Sequence, residues 1–156
     1  GSKMPEITAA AGLIMLPLLA DTVAARRKSV RQAETLLAEV PGISFPQVGA
    51  GDCSGHKDFA ILVDGDAFGL DRDRLAAVLS TENVQTRAYY APPLHRMEAY
   101  NRAPLRLPLP VTEEMAGKAL CLPLHNDMPE DVLALICETI ADAHRSASKI
   151  MEKLGS

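Results

Sequence analysis

Tryptophan is absent from this chain of 156 residues, and aromatic residues make up only 4% of it. A core without large rings must be assembled from Leu, Val, Ile and Ala, each of which buries less area than an aromatic side chain. A basic excess is also missing. The formal charge is −4 and the pI about 5.5, which argues against a nucleic-acid footprint, since that needs a basic face. Cysteine is scarce: Cys53, Cys121 and Cys137 are an odd number, and they read as reduced cytoplasmic thiols rather than a disulfide framework. No apolar run reaches the length of a bilayer span. The nearest is Ala9–Ala20, interrupted by Pro17, so no membrane segment is expected. No positively charged leader with a cleavage site precedes that run, so no secretion signal is expected either.

What is present fits one globular domain. The length suits a single core, and the 47% apolar content is ordinary for a soluble protein. Gly1-Ser2 and Gly155-Ser156 read as cloning remnants, leaving a domain over residues 3–146 and a helical tail over 147–156.

Periodicity supplies the elements. Residues 5–20 are Ala- and Leu-rich and helix-like, with Pro17 expected to end or kink the helix. From Asp21 to Val40, the residues Val23, Val30, Ala33, Leu37 and Val40 form one helical stripe. Arg26, Arg27, Lys28 and Arg31 fall on its solvated faces, and Pro41-Gly42 stops it. Ile43–Phe45 reads as a short strand, and Phe59–Val63 as a strand buried on both faces. Asp64-Gly65-Asp66 reads as a turn. A helix over Leu70–Ser80 follows, with Leu75, Val78 and Leu79 inward and Asp71 and Asp73 at its positive end. Val84–Ala88 is expected as another strand. Thr112 is expected to cap a helix reaching about Leu120. Pro129 opens the last helix, with Val132, Ile136, Ile140 and Ala143 on one face. The composition after Arg145 could carry that helix beyond the domain. The fold class is therefore α+β: a small, mainly antiparallel sheet of about three strands packed with helices.

The densest chemistry lies in Val84–His95. Pro92 and Pro93 lack N–H donors and fix φ, so a strand must end there and the loop that follows is stiff. The proline-broken stretch from Ala91 to Pro110 is long for a connection, and long ordered loops are usually functional. Arg87 offers a guanidinium fork for a phosphate. Tyr89, Tyr90 and His95 can stack or hydrogen-bond. Taken as residues alone, Arg87 also suits a surface salt bridge and His95 a cap. Cys53-x-x-His56 and Cys121-x-x-x-His125 have nothing that forces tetrahedral convergence, so no metal site is expected. Gly49-Ala50-Gly51 is too short for a phosphate loop.

Several stretches occur together and in order: Lys3-Met4-Pro5-Glu6 with Ala9-Ala10-Ala11-Gly12-Leu13, Lys57-Asp58-Phe59 before Ala60–Val63, and Asp71-Arg72-Asp73. Thr86-Arg87-x-Tyr89-Tyr90-x-Pro92-Pro93-x-His95 and Leu120-x-Leu122-Pro123-Leu124 complete the set. In this the chain resembles the C-terminal small domain of the DegT/DnrJ/EryC1/StrS family, the pyridoxal-phosphate aminotransferases of nucleotide-linked sugars. It departs at Tyr89, where many members carry His, and at Ala88, where some carry a basic residue.

The resemblance implies a parent enzyme that uses pyridoxal phosphate on a nucleotide-sugar substrate. The family's Schiff-base lysine and pyridinium partner lie upstream. None of Lys3, Lys28, Lys57, Lys118, Lys149 and Lys153 matches that lysine in chain order. This chain is thus expected to carry no catalytic and no cofactor-binding residue, and to be inactive alone. Arg87, Tyr89, Tyr90 and His95 would form a substrate-side wall, in a homodimer or larger assembly without nucleic-acid or membrane partners. A non-catalytic nucleotide-sugar-binding or dimerisation module, and a fragment of a related sugar dehydratase, are the alternatives.

Overall fold

A computed structural model describes residues 3–100 and 108–154. The chain opens with α1 (Glu6–Met15), passes through a 3-10 turn at Leu16–Leu18 and continues as α2 (Leu19–Leu37). Pro17 therefore tightens one turn without ending the helix, because the missing N–H lies where the bonding shifts to Leu19 N–H→Leu16 O. The result corrects the expectation of a short apolar run. Glu6–Leu37 is a helical span of 32 residues, long and apolar enough to cross a membrane by length and composition.

Short strands follow. They are β1 (Ile43–Ser44), β2 (Phe59–Val63) and, after α3 (Gly65–Phe68), α4 (Arg72–Thr81) and α5 (Pro110–Lys118), β3 (Ala119–Leu122). Helices α6 (Glu130–Arg145) and α7 (Ala147–Leu154) finish the chain. The sheet is antiparallel in the order β1-β2-β3, with Phe59 opposite Leu122, Ala60 opposite Cys121 and Ile43 opposite Val63. The α+β class with a three-stranded antiparallel sheet is as expected, but its third strand is Ala119–Leu122. Val84–Ala88 contributes only an isolated bridge, Arg87 to Cys121.

The core is aliphatic. Phe59, Ile61 and Val63 project from one face of β2 onto Val30, Ala33 and Leu37 of α2, Leu75 and Leu79 of α4, and Leu133, Ile136 and Ile140 of α6. Ala60 and Leu62 are only half covered, so β2 is sealed on one face rather than two. On α6 the inward residue is Leu133, while Val132 is exposed. The tail does not run on past the domain: the helix breaks at Ser146, Ala147 is buried and Ile150 packs against the core.

Caps also differ in detail. Asp64 accepts from Ala67 N–H and begins a helix where a turn was expected. Asp71 accepts from Arg74 N–H at the head of α4. Helix α5 opens at Pro110 after an N-cap at Leu109 that has no side-chain cap, so Thr112 lies within the first turn instead of capping it. Gly42, at φ 77°, could not be replaced, since a Cβ there would lie 2.4 Å from Phe68 N.

Among the described residues, one charged side chain is buried in this core. Arg72 is 6% exposed. Its Nη1 donates to Ala119 O at 3.1 Å, and its Nε makes an ion contact with Asp73 at 2.8 Å that lacks hydrogen-bond alignment. The guanidinium thereby joins the start of β3 to α4. Arg72→Ala removes that donor and leaves a covered carbonyl unpaired, which should destabilise the fold by about 1–3 kcal/mol. Urea unfolding should show a lower midpoint at unchanged slope; an unchanged midpoint would show that Arg72 carries no structural role.

Candidate functional site

The antiparallel pairing decides which residues meet beside β3. Because Phe59 faces Leu122, the residues before Phe59 and those after Leu122 emerge at the same end of the sheet. On the other edge, Arg87 N–H donates to Cys121 O at 3.1 Å and Cys121 N–H donates to Arg87 O at 2.7 Å. Lys57 and Asp58, Arg87 and Tyr89, and Cys121 and His125 thus surround one cavity of about 310 Å3. Within it Arg87 Nη1 donates to the Tyr89 hydroxyl at 2.7 Å. That bond, and more distantly the Asp58 carboxylate, hold the guanidinium pKa above its usual value. Burial, aided by Asp58, raises the pKa of the Cys121 thiol, so it stays protonated.

Tyr89 is a shared wall. Its ring packs against Tyr90 at 5.0 Å between centroids. Both rings line a second cleft of about 440 Å3 with Leu94, Val111 and Met115, a far less polar surface. Tyr90 is 66% exposed, so its ring is available for stacking. The Tyr89–Tyr90 and Ala91–Pro92 peptide bonds are cis.

His95 is placed differently. Its side chain is 13% exposed, with Nε2 2.7 Å from Glu113 Oε1, and Arg96 bonds the same carboxylate at 2.8 Å. It lines neither cavity. The structure therefore groups Arg87, Tyr89 and Tyr90, and makes His95 the pin that fastens the loop to α5. The remainder of the long loop, residues 101–107, lies outside the described residues. Lys57, Asp58, His125 and Glu113 were not singled out from sequence as site residues. The signal that finds the first three is the β2–β3 register.

A reactive lysine amine is made nucleophilic by a lowered pKa, yet Glu114 and then Asp64 raise that of Lys118. Lys28 is paired with Glu130 at 2.6 Å. Lys57, Lys3 and Lys149 are exposed. Among the described residues no group of three or more His, Cys, Asp or Glu side chains could hold a metal ion.

The model of the DegT/DnrJ/EryC1/StrS aminotransferase family matches residues 1–141. A dTDP-4-amino-4,6-dideoxy-D-glucose transaminase of Shigella dysenteriae is 31% identical over 140 residues, covering 90% of this chain and 38% of that enzyme. One of the same name from Escherichia coli is 30% identical, covering 88% and 38%. Among solved structures, that of DesI in the presence of its TDP-sugar product superposes with a TM-score of 0.89 at 26% identity, over 98% of this chain and 39% of that one. A family aminotransferase from Brucella abortus gives 0.78 at 29% identity, over 91% and 36%. The chain spans less than two-fifths of the length of these relatives.

The His95–Glu113–Arg96 pin gives an acid-sensitive contribution. Bonds from His95 and then Arg96 hold the Glu113 carboxyl below its ordinary 4.5. A lowered folded-state pKa stabilises above the unfolded value and is lost as pH falls through the folded one. The melting temperature of the wild type should therefore exceed that of Glu113→Gln at neutral pH, and the gap should close below pH 4.5. A gap independent of pH would disprove this account.

Proposed function

Since the chain belongs to the DegT/DnrJ/EryC1/StrS aminotransferase family, we propose that it is the C-terminal small domain of a pyridoxal-phosphate-dependent aminotransferase of a nucleotide-linked keto-sugar. The domain itself spans residues 3–146, to which the short helix that follows is fastened. In this reading it supplies a substrate-facing wall, and the Schiff-base lysine belongs to the remainder of the enzyme. The observation that carries it is Arg87, Tyr89 and Tyr90 held together beside β3, in a chain matched by sugar aminotransferases over most of its length. Two relatives are named for a dTDP-linked sugar, and a dTDP-linked substrate is the class we assign.

Arg87→Ala in the full-length enzyme should raise the KM for the nucleotide sugar about tenfold, with kcat little changed. A phosphate-gripping guanidinium binds ground and transition states nearly equally. Tyr90→Phe should cost less, because stacking survives loss of the hydroxyl. Cofactor affinity should stay constant. If Arg87→Ala instead released the cofactor and left the KM for sugar intact, the division between a substrate wall and a distant cofactor would be wrong. For the chain alone, addition of pyridoxal phosphate should give no specifically trapped lysine after borohydride.

The apolar helix fits the same reading. Ile7, Leu13, Ile14, Met15, Leu16 and Leu19 are all exposed, and a patch of this kind marks an interaction surface. We assign its cover to the rest of the enzyme and to a partner subunit, in a cytoplasmic homodimer. Deprived of that cover, the 156-residue chain should self-associate, and sedimentation equilibrium should show dimers or larger species. A clean monomer at high concentration would reject this assignment.

A further inference from the structure

Two cations and one imidazole face the 310 Å3 cavity beside β3, against a single carboxylate. Lys57 and Asp58 stand on one wall, Arg87 and Tyr89 on another, and His125 closes the end. Arg87 gives Nη1 to the Tyr89 hydroxyl. Among the described residues its other N–H groups have no protein partner, and neither do the Lys57 ammonium and the His125 ring. This differs from the domain's structural cations. Lys28, Lys118, Arg72, Arg74, Arg96 and Arg145 each have a carboxylate within ion-pair distance.

Unpaired cations around one cavity repel, and they stay together at little cost only when solvent or an anion lies between them. Asp58 does not neutralise the set. Its charge favours the ionised form of Arg87 and so helps to aim the fork, yet no hydrogen bond joins the two. The donors are of complementary kinds: a planar fork that matches two oxygens of one phosphate, a mobile point charge and a neutral-or-charged ring N–H. Beyond the Tyr89 wall the surface turns apolar at once, in the cleft lined by Tyr90, Val111 and Met115. A ligand bridging the two would be charged in its middle and carry a ring that stacks.

We infer that the Lys57–Arg87–His125 cavity is a diphosphate subsite, with Tyr89 dividing it from an apolar cleft that takes a ring attached to that diphosphate. The inference rests on the nucleotide-sugar reading given above and adds to it Lys57 and His125, which no sequence motif had assigned, while leaving His95 outside the ligand. The larger groove of about 460 Å3 between α2 and residues 45–56 is the internal contrast. Its Arg27 and Arg31 are balanced by Glu34 and Asp52, and Arg27 already donates to the Cys53 sulfur.

The test titrates the 156-residue chain with inorganic pyrophosphate, thymidine diphosphate and thymidine, following amide shifts and heats. Pyrophosphate should shift Lys57, Arg87, Leu122 and His125, and thymidine diphosphate should shift these and Tyr90. Lys57→Met and His125→Gln should each weaken pyrophosphate binding about tenfold, as loss of a charge-assisted bond requires. Arg31→Gln should leave it unchanged. Added salt should weaken it further. Full pyrophosphate affinity in Lys57→Met, or equal loss in Arg31→Gln, would overturn the subsite. Shifts confined to Tyr90, Leu94 and Val111 with thymidine diphosphate would also overturn it, yet would leave the nucleotide-sugar wall standing. Silence of all these residues with every probe would remove both.

Discussion

Pairing of Ala119–Leu122 with Phe59–Leu62 is the constraint on which the rest of the domain depends. The four residues of β3 face three ways at once. Leu120 and Leu122 fill the aliphatic core, Ala119 O receives the buried Arg72 guanidinium, and Cys121 exchanges both backbone hydrogen bonds with Arg87. Because those groups are backbone groups away from bulk water, each would be costly if left unpaired. A slip of one residue along β2 would turn Leu120 and Leu122 outward, and would also carry Arg87 and His125, which move with β3, away from Lys57. Stability of the core and geometry of the cavity are therefore set by the same register.

Periodicity made most of that core legible. Val30, Ala33 and Leu37 on α2, Leu75 and Leu79 on α4, and Ile136, Ile140 and Ala143 on α6 lie inside, where a 3.6-residue stripe puts them. Their neighbours show its limits: Val132 and Leu133 are equally apolar, and only the packing direction of α6 decides between them. The third strand was hidden because four residues between a helix and Pro123 are too few for alternation to show. Val84–Ala88, with better strand composition, obtains only one bridge, since its chain turns into Tyr90 and the prolines before a ladder can form. Strand propensity describes fit to a pleated surface, and whether a partner edge lies alongside is a tertiary fact.

The site was legible in part for a related reason. Arg87, Tyr89 and Tyr90 are close in sequence, and their neighbourhood in space follows from a short backbone path. His95 shares that path, but a 3-10 turn at Leu94–Arg96 swings it onto Glu113. Lys57 and His125 are separated from the cluster by long stretches of chain, and it takes the β2–β3 register together with the Arg87–Cys121 bridge to bring them in. Residues joined by register rather than by proximity along the chain escape motif reading.

The long N-terminal helix shows how the two halves of one element can answer to different surroundings. From Val30 onward it is core, sealed against α6 and tied there by Lys28 to Glu130 and Arg26 to Asn126. Before Leu19 no described residue of this domain covers it, although its composition is the more apolar of the two. A bilayer would cover such a surface, and so would protein. The family model covers this segment and runs on to residue 141, so the apolar half lies in the same matched stretch as the sheet and the cavity. Each of these relatives is more than twice as long as the stretch it shares with this chain, and a protein surface would cover the apolar face while the other half of the helix stays in the core that it builds.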